Sequence, residues 1–140
     1  MIVELYKAIS AECKKLCPDA VMYRNNVPQG FKFPCFLVQV ADTLAQRKLF
    51  DSQQIVQSMD VSYFPEKGKE ERLFECEKMK EEMLRAFDVI VADSISFYVT
   101  GKNARITDDV LHFFFDVSYK EKLVKDEPLM EELTTNITEE

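Results

Sequence analysis

The chain is short of the residues that mark most active centres. It has three glycines, one histidine, no tryptophan and four cysteines in 140 residues. Gly30, Gly68 and Gly101 stand far apart, so no glycine-rich loop can cradle a phosphate. With His112 alone, no Ser or Cys gains a nearby His-plus-acid motif for a nucleophilic relay. Cys13, Cys17, Cys35 and Cys76 include no Cys-x-x-Cys pair. Cys13 and Cys17, spaced i, i+4, could form half of a zinc site. They also continue a helix's apolar stripe, and core packing accounts for them without metal. Neither a metal nor a cofactor is expected. No apolar run is long enough to cross a bilayer, and no basic-then-apolar leader opens the chain. Thiols without staples then suggest a reducing compartment.

The length suits one domain, and apolar residues at 46% supply its core. The formal net charge is −7. Residues 121–140 carry seven acids against Lys122 and Lys125, so most of the imbalance lies in that tail. An acidic surface repels phosphate, which argues against specific nucleic-acid binding. Acid clusters such as Asp108–Asp109 read as solvated turns rather than paired catalytic carboxylates.

The stretch from Gln54 to Pro65 organises the pattern. Ile55, Met59, Val61 and Tyr63 fall on one face of an extended chain, with Ser58, Asp60 and Ser62 on the other. Gln57 interrupts the apolar row. Pro65 ends the strand, and a charged helix over 69–87 follows, with Leu73, Cys76, Met79, Met83, Leu84 and Phe87 as its stripe and Gly68 as its cap. A first helix spans 2–16, stopped by Pro18. Strands are read at 21–24, 33–40, 95–100 and 111–119. Gly101-Lys102-Asn103 reads as a turn, with 104–109 completing that hairpin loop. The expected fold is α+β: a mixed or antiparallel sheet of four or five strands packed against two helices. The domain is placed at 1–124. Residues 125–140 form an acidic tail, either a short helix around Leu129, Met130 and Leu133 or disordered.

Residues 42–53 are the most polar internal segment. They read as a long hairpin arm, extended or looped. Leu44, Leu49 and Phe50 stand there among polar neighbours and call for a partner surface. Alternatively, these three fold back onto their own sheet. Arg47 and Lys48, and Lys102 with Arg105, are small basic spots suited to docking on an acidic neighbour. These seven residues form the candidate self-association surface.

Three segments carry a family resemblance: Phe-Lys-Phe-Pro-Cys-Phe-Leu-Val at 31–38, Met-Asp-Val-Ser-Tyr-Phe-Pro at 59–65 and Val-Leu-His-Phe-Phe-Phe-Asp-Val at 110–117. With the order of elements around them, they resemble the small tail terminator proteins of phages and prophages of Gram-positive bacteria. The resemblance runs from the first helix to the last strand and leaves the acidic tail unmatched. It implies a structural protein, not an enzyme. Such a protein forms a ring, usually six-fold, that caps the tail tube and meets the head–tail connector. It implies residence in the virion tail after assembly in the cytoplasm of the bacterial host. It brings no active site. Two other classes remain open: a small cytoplasmic partner-binding adaptor, and a small enzyme with a pocket on the sheet.

Overall fold

The computed structural model describes residues 1–66 and 69–123, which form two helices and six strands. Helix α1 spans Ile2–Leu16 and is followed by β1, Val21–Arg24. Strands β2 (Cys35–Lys48) and β3 (Ser52–Phe64) form a long hairpin. Helix α2, Lys69–Ala86, leads to β4 (Val89–Ala92), β5 (Ile95–Thr107) and β6 (Val110–Lys122). The sheet order is β1-β2-β3-β6-β5-β4. Only β1 and β2 run parallel. The stretch that organises the sequence is therefore an interior strand, flanked by β2 and β6.

The period-two rows of β3 and β6 meet in register. Met59 pairs with Phe115 and Val61 with Phe113, all four at most 1% exposed. Helix α1 contributes Leu5, Ala8, Ile9 and Cys13 to the same core, and α2 contributes Cys76, Met79 and Met83. Phe87, just past α2, packs its ring 5.1 Å from Phe113 and 5.3 Å from Phe115. Helix α2 lies against β6 and β5, while α1 packs against β4.

Four details differ from the sequence reading. The sheet gains β4, a four-residue strand too short to stand out by period. The 101–109 stretch is not a loop. Strand β5 continues to Thr107 and bulges between Thr100 and Asn103, where Gly101 takes φ +61°. Glycine marked a bulge there rather than a turn. The reversal falls on Asp108 and Asp109, with φ +51° and +62°, a left-handed pair that Asp tolerates in tight hairpins. Last, Leu73 is not part of the buried stripe of α2; it is 51% exposed. The Gly68 cap and the tail expected at 125–140 lie outside the described residues.

Candidate functional site

The arm foreseen at 42–53 is strand almost throughout. Beyond a register shift between Val40 and Asp42, pairing runs from Asp42↔Ser58 out to Lys48↔Ser52. Strand β6 supports its other side as far as Ser52↔Lys122, so the arm is three strands wide nearly to its tip. A two-stranded ribbon is marginal in water, whereas a third strand completes the ladder. Side chains brace its base. Gln57, only 7% exposed, accepts from Thr43 Oγ1 at 2.6 Å and donates to Tyr119 Oη at 3.0 Å. The residue that broke the apolar row in sequence is thus a satisfied polar clamp.

The tip is a three-residue turn, Leu49-Phe50-Asp51. Ser52 Oγ donates to Leu49 O at 2.8 Å, and Leu123 N donates to Asp51 O at 2.8 Å. Leu44, Leu49 and Phe50 are 61%, 79% and 92% exposed. They do not fold back onto the sheet. Phe50 also adopts φ +62°. A bulky residue in the left-handed region costs on the order of 1 kcal/mol, and a ring 92% exposed recovers little of that by burial among the described residues. Arg47 and Lys48 flank the pair, and Arg47 Nη2 lies 3.6 Å from Asp51 Oδ1 in an exposed ion pair.

The other two basic candidates sit elsewhere. Lys102, in the β5 bulge, donates to Leu84 O at 2.8 Å and to Asp88 Oδ1 at 2.9 Å, tying the end of α2 to the sheet. Arg105 lies further along β5, its guanidinium 5.5 Å from the Phe114 ring. The structure therefore brings Leu44, Arg47, Lys48, Leu49 and Phe50 onto one arm and leaves Lys102 and Arg105 on another part of the sheet.

Register also creates a cluster that linear spacing hid. Ser62 faces His112 across β3 and β6, and Asp60 is two residues from Ser62. Ser62 Oγ lies 3.1 Å from His112 Nδ1, and Asp60 Oδ1 lies 3.7 Å from the same nitrogen. A serine relay needs acid and hydroxyl on opposite ring nitrogens. Here both compete for one. The His112 ring stacks on Phe114 at 6.2 Å, and Ser62 also donates to Asp60. The arrangement can orient a strand face; Asp60 is not placed behind the ring as a relay requires. Cross-strand pairing was the missing signal, because residues 62 and 112 are fifty positions apart.

The thiols are equally muted. Burial pushes Cys35 and Cys76 up to about 11, and Cys13 and Cys17 upward as well. Thiolates are then scarce at neutral pH. Among the described residues, no three His, Cys, Asp or Glu side chains converge as a metal site. A cleft of about 550 Å³ lies between α1 and β1 over Val3, Tyr6, Met22 and Val38. Two of its cations are engaged: Lys14 donates to Ala20 O at 2.6 Å, and Arg24 covers the Tyr6 ring at 4.4 Å.

The chain is thus an α+β domain whose polar clusters brace strands and whose two most exposed large apolar side chains among the described residues, Leu49 and Phe50, stand at the tip of an arm. The comparisons with known proteins narrow that class. A family model described as phage tail terminator protein matches residues 4–128. The chain belongs to that family, whose members have a structural role in the phage tail. No curated protein sequence matches. Twenty solved chains match in fold. One is covered to 94% and covers 89% of this chain, at 14% identity and a TM-score of 0.42.

Proposed function

We propose that this protein terminates the phage tail by closing into a ring, six-fold as the resemblance implies, on the end of the tail tube, where it meets the head–tail connector. Copies of the chain, the tube protein and the connector protein are its partners. The observation that carries the reading is the arm tip. It is a braced three-stranded projection ending in Leu49 and in Phe50, which is 92% exposed. Exposed apolar groups on a rigid projection gain most by burial in a neighbour, at about 25 cal/mol per Å² of apolar area. Leu44, Leu49 and Phe50 supply that area, and Arg47 and Lys48 steer the approach. Arg105 offers a further cation on the sheet, and Lys102 acts by holding the bulge to α2.

The experiment replaces Leu49 and Phe50 with Ser in the phage and counts normal-length, head-joined tails. The monomer should still melt cooperatively while joined tails fall sharply. Tails at the unmodified level would remove the arm from the interface. Both alternatives remain as outcomes of other measurements. An adaptor would stay monomeric beside tube and connector. An enzyme would turn over a substrate from the α1–β1 cleft.

A further inference from the structure

Two surfaces at opposite ends of the molecule are chemical complements. At one end stands the arm tip, Leu49 and Phe50 beside Arg47 and Lys48. At the other is the first half of α2, where Leu73 and Phe74 are 51% and 66% exposed. Glu70 lies one turn before both, and Glu71 one turn before Phe74. Both acids are exposed. An apolar pair beside bases thus has a match in an apolar pair beside acids.

We propose that the arm tip of one copy seats on Leu73 and Phe74 of the next copy. This rests on the arm being the self-association element and names the surface that receives it. One chain cannot make the contact with itself. Strand β3 runs 13 residues from the tip at Ser52 to Phe64, ~40 Å at strand rise. Helix α2 begins beyond that far end. Cys76 Sγ donates to Asp109 O in the β5–β6 turn at 3.5 Å, which holds the first half of α2 there. The two surfaces differ, so the contact is head-to-tail, the kind that repeats around a closing ring. Arg47 gives up little to join it, because its pair with Asp51 is exposed and long.

Two rival seats fit less well. The α1–β1 cleft is rimmed by Lys7, Lys14 and Arg24, which repel Arg47 and Lys48. The apolar patch of Val89, Val91 and Tyr98 has Asp88 and Asp93 as neighbouring acids. Asp88 is already held by Lys102 at 2.9 Å, and Lys7, 3.8 Å from Asp93, sets a like charge against Arg47 and Lys48.

The test places p-benzoylphenylalanine at position 50 of the full chain, irradiates assembled tails and sequences the cross-linked peptides. The expected product is a two-chain adduct joining position 50 to residues 70–78. The reverse probe at position 74 should capture residues 44–50. A two-chain adduct to any other segment overturns the α2 seat and leaves the arm as an interface. Absence of a two-chain adduct from both probes overturns the seat and the arm together. Charge exchange gives a second readout. R47E/K48E and E70K/E71K should each lower head-joined tails about tenfold, and the combined variant should recover most of that loss. A combined variant as poor as either parent, with the fold intact by its melting transition, overturns the seat.

Discussion

Along one hairpin, β2 and β3 follow two different rules. Below the shift between Val40 and Asp42, Phe36, Val38, Met59 and Val61 are at most 2% exposed and share one core with residues of both helices. Above it the ladder continues unbroken to Lys48↔Ser52, yet Leu44 and the tip residues face solvent. The lower half is held by burial. The upper half is held by backbone pairing, by β6 and by the Thr43–Gln57–Tyr119 clamp. A strand can therefore outrun its core when a third strand satisfies its backbone, and the side chains beyond the core become free for another chain.

The sharpest way to break this comparison is in the lower half. Phe113, fully buried between Phe87 and Phe115, should cost ~3–5 kcal/mol when replaced by Ala. Urea unfolding measures it, and a loss under 1 kcal/mol would deny that the core carries the fold.

Alkaline pH probes the same half. Burial, reinforced at Cys76 by Asp109, raises Cys35 and Cys76 from 9.0 to about 11 in the folded chain. The unfolded chain loses those protons first. The thiols' contribution is therefore intact below pH 9 and is lost as pH climbs towards 11, with a slope of at most ~1.4 kcal/mol per pH unit for each thiol. Cys76→Ala should flatten the measured decline of stability between pH 9 and 11, whatever it does at pH 7. An unchanged slope would mean that Cys76 does not contribute.

At the boundary between halves, Gln57→Ala should cost about 1–3 kcal/mol, since it strands the Thr43 and Tyr119 hydroxyls in a partly buried site. Hydrogen exchange should then quicken from 42 to 48 before it quickens in the core. Uniform acceleration would mean that the arm and the body open as one unit.

The smallest effect lies at the tip. Phe50→Gly relieves a left-handed φ and should raise the chain's own stability by ~0.5–1 kcal/mol. The same change should reduce head-joined tails. If Phe50→Gly instead lowers the melting temperature, the exposed ring is holding the turn together and the contrast between the halves weakens.

Much of the architecture was legible in local pattern. Helical apolar spacing covers 2–16 and 69–87, where the helices run Ile2–Leu16 and Lys69–Ala86, and Ile55, Met59, Val61 and Tyr63 alternate as a strand must. Tetrahedral chain geometry makes those periods local properties, so they survive without knowledge of neighbours. The apolar residues of the arm were visible by the same logic, as Leu and Phe among Gln, Arg and Lys.

What lay beyond reach depended on pairing. Whether Leu44, Leu49 and Phe50 bend back or stand out turns on β6 reaching Ser52, a register between residues seventy positions apart. Whether Gln57 is a flaw or a clamp turns on Thr43 and Tyr119 arriving beside it. Gly101 is equally apt for a turn or a bulge, and only the continuation of β5 alongside β6 selects the bulge. Leu73 has a core-like spacing on α2, but the helix meets the sheet from Cys76 onward. The sequence by itself determined which segments coil, which extend and which side chains need burial. The tertiary structure decided where strands end and which apolar groups are left for a partner, because cross-strand register and helix placement are set by contacts no local period encodes.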